Sequence, residues 1–261
     1  MKTKTTIRVF LQVGIICSMA ATFLTGSNLP GKSQAGELTI TVSGIVVHDQ
    51  YDRSGFFPKG WLTEPSNCNG AQISPVEEQR VIPLIEQFAS SYDTHTIKCN
   101  LTDIYLLSNL TCFGKPYGGT HNATAIYIRV GTLEAGYTDQ FLLSLLYAEF
   151  SSVLMRYYSF PREEWLAVND DDFVYQNNAV KMLEQEGLRE SSQELLAAGF
   201  VDRYATASIE EDFNEVSSWL FTRPQELCDT QAAYEKIERK YKLAVEFYTS
   251  IDPDIKLPNC K

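Results

Sequence analysis

Histidine is scarce. The 261 residues hold three, His48, His95 and His121, and none has a second histidine three or four positions away, so no pair shares one helix face. Six cysteines are present, but no two are spaced Cys-x-x-Cys, which argues against a zinc-thiolate site. Basic residues are also few. Lys and Arg number 22 against 33 Asp and Glu, a net charge of −11. A surface of that sign repels nucleic acid and anionic membranes. There is no internal repeat, low-complexity tract or clear linker.

The one long apolar run lies at the N-terminus. Lys2, Lys4 and Arg8 precede an apolar stretch from Val9 to Leu24, and Ser33-Gln34-Ala35 offers a small-x-small cleavage site. Gln12 interrupts the run, which is short for a stable span, so residues 1–35 read as a cleaved signal peptide and 36–261 as one domain. Lipidation at Cys17 is the alternative, although Ile16 is a poor residue to precede it. Cleavage removes four of the basic residues and none of the acidic ones, leaving a net charge of −15. These features predict an extracytoplasmic protein with no stable membrane span after cleavage. Five cysteines then remain, and an odd number leaves one over. Cys99 with Cys112 is the expected local pair, and Cys228 with Cys260 would tie the tail across a helix. Asn100, Asn109 and Asn122 each begin an N-x-T sequon, of consequence only in a glycosylating host.

Hydrophobic periodicity organises the rest. Phe141, Leu142, Leu145, Leu146, Phe150, Val153, Leu154 and Tyr157 recur every three or four positions, so the stretch from Tyr137 to Tyr158 predicts a helix buried over most of its girth. Thr138 is its N-cap and Pro161 stops it. Upstream, residues 37–48 predict a strand with a bulge at Gly44, and 49–70 a long loop. Ser74-Pro75-Val76-Glu77 opens a helix by a capping box. Strands follow at 103–107 and 123–130, with Pro116 and Gly118-Gly119 marking a turn or exposed edge between them. Residues 160–176 read as irregular, with Asp170-Asp171-Asp172 as solvated charge. Helices resume at about 179–186, 191–198, 208–221 and 230–249. Strands first and helices after predict a single α+β domain.

In the middle of the buried helix stands Glu149. An ionised carboxylate loses several kcal/mol of hydration on burial, so something must hold it or use it. Zinc peptidases place a glutamate mid-helix in H-E-x-x-H, two histidines one turn apart holding the metal. Here the frame reads Ala148-Glu149-Phe150-Ser151-Ser152, with neither histidine. A plain structural carboxylate, paired with Arg156 two turns on or with a neighbouring segment, is the competing reading. No basic residue lies one turn away, so replacing Glu149 by leucine is expected to leave stability unchanged or raised.

Further along, Tyr204-Ala205 is followed by Glu211-Asp212-Phe213-Asn214-Glu215. With IYLLSNL, GKPYGGTHNATAIYI, GYTDQF and EFSSVLMRYY, this pattern resembles the zinc-binding metallopeptidases of the lethal-factor-like, zincin type, over residues 103–221. The resemblance implies a zincin-like fold, with a small mixed sheet followed by helices, and zinc as the family cofactor. It also implies Glu149 as general base, Tyr204 as donor to the oxyanion, Glu211 as a metal ligand, and Gly118 and Gly119 beside extended substrate. Each has a plainer counterpart. Glu211 completes a capping box with Ser208, Tyr204 is one of 14 tyrosines, and the glycines are an ordinary turn. A catalytic zinc takes three protein ligands, and only His121 among the histidines is a candidate to reach the cleft. Three functions follow. The first is a pseudopeptidase with a degenerate zinc site that holds a peptide or protein partner. The second is an active zinc peptidase with a non-standard ligand set. The third is a structural or surface-interaction protein.

Overall fold

The computed structural model describes residues 40–177, 179–183, 185, 187–258 and 260. The expected signal peptide lies outside them. Where a single strand was expected, Ile40–Val42 (β1) and Ile45–His48 (β2) form an antiparallel hairpin. Ser43 and Gly44 have φ of 53° and 91°. Two successive positive values make a tight hairpin turn that reverses the chain instead of bulging it. The loop that follows contains a helical turn, Arg53–Phe56 (α1), and a short strand, Asn69–Ala71 (β3). Pro75–Ala89 (α2) begins at the expected capping box: Glu77 N donates to Ser74 Oγ at 3.2 Å, and Ser74 N donates to Glu77 Oε2 at 2.7 Å. Thr94–Asn100 (α3) was not anticipated. Its cap is Asp93, whose carboxylate accepts from the amides of His95 and Thr96.

Asp103–Leu107 (β4) is the expected strand. The Gly- and Pro-rich stretch after it holds three short strands, Asn109–Cys112 (β5), Lys115–Pro116 (β6) and Gly119–His121 (β7), before Ala125–Arg129 (β8). One sheet has the order β1-β2-β4-β8-β7, with parallel pairings at its centre and antiparallel ones at its ends. A second sheet joins β3, β5 and β6. It corrects the expected disulfide. Asn69 pairs with Thr111 in antiparallel register, so the next residues outward, Cys68 and Cys112, face one another with Cα atoms 4.2 Å apart and are bonded. Cys99 sits on α3 beside His95. Cys228 and Cys260 are joined as expected.

Asp139–Tyr157 (α4) is the predicted central helix. Phe141 N donates to the Thr138 hydroxyl, and the chain turns extended at Tyr158. Leu142, Leu146, Phe150, Val153 and Leu154 are fully buried, each stabilising by about 1.5–3 kcal/mol relative to exposure. The helix packs on β7, β8 and α2, and on a later helix. Then come Arg162–Leu166 (α5), Ala179–Met182 (α6), Gln193–Ala198 (α7), Ile209–Thr222 (α8), Pro224–Ala233 (α9) and Glu235–Ile251 (α10). The last two replace one expected helix, because Tyr234 takes an extended backbone and packs its ring against the core. The architecture is mixed α+β, and among the described residues no helix is long and apolar enough to cross a membrane.

A buried ion pair sets the position of α8. Trp165 Nε1, Tyr175 Oη and Lys240 Nζ all donate to Asp212 Oδ2, at 2.9, 2.6 and 2.6 Å. Lys240 Nζ also donates to Gly199 O at 2.8 Å. Burial pushes the Asp212 carboxyl up and the Lys240 amine down from their ordinary values, while their mutual attraction opposes both shifts. The pair ties α10 to α8 one residue from Glu211.

Candidate functional site

Glu149 stands on the face of α4 that meets β7. Gly119 runs so close that a Cβ there would lie 2.7 Å from Glu149 Oε1, and a Cβ on Gly118 would lie 3.1 Å from Leu145 Cδ2. Glycine therefore does more here than turn the chain: at position 119 it lets a strand lie directly on the helix. Two residues on, alternation brings His121 to the same face. Its Nδ1 is 2.9 Å from Glu149 Oε2, and its Nε2 is 3.5 Å from Glu210 Oε1 on α8. Arg156 approaches Nε2 from solvent, also at 3.5 Å. Burial pulls the His121 pKa down, but the hydrogen bond and charge of Glu149, helped by Glu210, outweigh it and hold the imidazole above its ordinary value. Glu149 thus has a partner on β7, which removes the ground for expecting its replacement by leucine to leave stability unchanged or raised.

Ser208 caps α8 by accepting from the Glu211 amide at 3.1 Å. The Glu211 carboxylate makes a different contact, accepting from Tyr204 Oη at 3.1 Å. Tyr204 lies in a short 3-10 turn, mostly buried, with the Arg189 guanidinium 4.8 Å from its ring centre. Arg189 also donates to Glu215 Oε1 and lies 3.7 Å from Asp202 Oδ2. Burial, then the negative charges of Glu149 and Glu215, push the Glu211 carboxyl up to about 8, with Arg189 opposing. Burial and the Glu211 charge likewise raise the Tyr204 phenol. Tyr117, just before β7, is raised by burial and by Glu211 and Glu149. Glu149, Tyr204 and Glu211 therefore share one charged neighbourhood, with Gly119 at its wall.

The positions flanking Glu149 have other occupants. Ala148 presents a methyl group, and Ser152 is buried. The Asn214 carboxamide lies 2.8 Å from Ser152 Oγ and 3.0 Å from Ser151 Oγ, filling the seam between α4 and α8. Sequence reasoning missed Arg189, Glu210 and Asp202. Each sits beside another charge in the chain, as in Arg189-Glu190, Asp202-Arg203 and Glu210-Glu211, and no spacing announces a shared site.

Residues 125–251 match the family model described as putative zinc-binding metallo-peptidase. Just under half of the chain is therefore similar to a metallopeptidase family. The matched segment runs from β8 through α10 and so contains Glu149, Tyr204 and Glu211. A crystal structure of a putative zinc-binding metallo-peptidase from Bacteroides caccae aligns at 13% identity and a TM-score of 0.48, covering 70% of this chain and 71% of that one. No curated protein matches.

A metallopeptidase-like family implies zinc, and the donor set tests that. Catalytic zinc takes three protein ligands and leaves one position open. Around Glu149, a methyl offers no donor at 148, and the hydroxyl at 152 is occupied by Asn214. Both nitrogens of His121 are already engaged, Nδ1 with Glu149 and Nε2 with Glu210 and Arg156, so neither is a free lone pair turned to a metal. Among the described residues no group of three His, Cys, Asp or Glu side chains is placed to hold a metal ion. These residues do not fit a catalytic zinc.

Proposed function

We propose that this is an exported, metallopeptidase-like pseudopeptidase that holds an extended peptide in its cleft without a catalytic zinc. The observation that carries this reading is the pair of positions 148 and 152. They stand four apart on α4, where a zinc helix would present its two histidines, and they hold a methyl and a buried serine tied to Asn214. Glu149, Tyr204 and Glu211 keep their places around the cleft in this view, and Gly118 and Gly119 form its wall. The open edge of β7 supplies what a peptide needs, unpaired backbone groups in extended geometry. Export is supported by the signal-like N-terminus and by two disulfides, which persist in oxidising compartments.

Metal analysis of the protein purified without chelator tests this directly. Essentially no zinc is expected. About one zinc per chain would instead favour an active peptidase with an unusual ligand set.

A further inference from the structure

The chain contains one Asn-Gly step, Asn69-Gly70, and Asn69 is exposed on β3. Such a step is prone to lose ammonia, because glycine has no Cβ to shield its amide nitrogen from the preceding carboxamide. The Gly70 nitrogen gives up its proton and attacks Asn69 Cγ. The Cγ–Nδ2 bond breaks, and ammonia leaves with that proton. Water then opens the resulting succinimide at either carbonyl, giving isoaspartate or aspartate at position 69.

The register of the small sheet decides where that nitrogen points. Hydrogen-bonded and non-hydrogen-bonded pairs alternate in an antiparallel ladder, and the latter hold their Cα atoms closer, at about 4.5 Å. Cys68 and Cys112 have Cα atoms 4.2 Å apart, so they form a pair of the second kind. Two residues on, Gly70 opposite Leu110 is another. The Gly70 amide is therefore turned away from β5, to the side where β3 ends its sheet.

There it meets Tyr51. Gly70 N donates to the Tyr51 hydroxyl at 3.0 Å, and the same hydroxyl donates to Asn69 Oδ1 at 2.6 Å. One hydroxyl thus engages both groups that must react. The bond from Gly70 N holds the proton that attack has to displace. The bond to Oδ1 holds the carboxamide, which must swing over the nitrogen. Tyr51 is itself fixed: its N donates to Gln72 Oε1 at 2.6 Å, and its ring meets Phe56 edge-on at 5.2 Å. We propose that Asn69 is a deamidation site and that the Tyr51 hydroxyl is the latch that keeps it closed. Isoaspartate there adds one carbon to the main chain within β3. The latch therefore also guards the pairing with β5 and the loop that packs Phe56 on Tyr105 and Phe57 on Tyr127.

The test is ageing of the full chain at pH 8 and 37 °C. Peptide mapping by mass spectrometry then separates asparagine, aspartate and isoaspartate at position 69. Tyr51→Phe keeps the ring and removes only the hydroxyl. It is expected to deamidate at least about fivefold faster than the wild type, the scale of two lost hydrogen bonds. Arg53→Ala is the control for general loosening. Arg53 braces the same loop by donating to Cys68 O and Leu62 O, and its removal leaves the Tyr51 hydroxyl in place. Its rate should stay well below that of Tyr51→Phe. Equal rates in wild type and Tyr51→Phe, a slower rate in Tyr51→Phe, or equal acceleration in Arg53→Ala overturns the inference. Amide exchange on the wild type keeps the test open should Tyr51→Phe fail to fold. The Gly70 amide is expected to exchange at least about tenfold slower than an unstructured amide. Exchange at the unprotected rate would overturn the latch.

Discussion

At the scale of single residues, the decisive contact is between His121 and Glu149. Glu149→Leu leaves His121 with Glu210 alone, and truncating one partner of a mostly buried charge-assisted hydrogen bond costs about 1–3 kcal/mol. A fall in denaturation midpoint of that size is expected in urea titration, and an unchanged midpoint would show that the contact contributes nothing. Gly119→Val should act through the same contact. Its Cβ would press on the carboxylate, so NMR titration should find the His121 pKa lowered towards its ordinary value. Glu211 gives a pH signature. Its folded pKa lies above its unfolded value, so the folded state binds the extra proton and stability falls as pH rises from about 4.5 to about 8. His121, also raised, stabilises below its unfolded pKa and loses that contribution as pH climbs through its folded one. Both push the same way. Thermal midpoints should drop between pH 5 and pH 8.5, and Glu211→Gln should flatten the upper part of that slope.

At the scale of elements, the helices were legible wherever a cap and a periodic face coincide. Thr138 and Ser74 mark the starts of α4 and α2, and the buried residues Ile209, Phe213, Val216 and Leu220 of α8 sit on the stripe their spacing implies. The strands β5 to β7 were not legible, because two to four residues carry too few alternations to show a period of two. The disulfide failed for a related reason. Nearness in sequence favoured Cys99 with Cys112, but partner choice follows strand register, which the sequence does not print. Non-reducing peptide mapping is expected to recover Cys68 joined to Cys112. The seam between α4 and α8 is tight at Ser152, so Ser152→His should cost about 1–3 kcal/mol by overpacking against Asn214. Pairing it with Asn214→Gly should recover part of that loss.

At the scale of the whole molecule, a five-stranded sheet, a helix laid across its edge and a second helix crossing that one bring Glu149, Tyr204 and Glu211 together from positions distant in the chain. Their residue types and order could be read in the sequence. His121 could be read only as a candidate to reach the cleft; its pairing with Glu149, and the place of Arg189, are decided by contacts made after folding. The central claim is that this cleft holds peptide without metal. It is tested most directly by incubating the protein with an end-blocked heptapeptide that alternates threonine and valine, with and without EDTA, and following both binding and peptide mass. Binding that EDTA does not change, with the peptide recovered intact in both samples, is the expected result. Cleavage in the untreated sample that EDTA abolishes would contradict it.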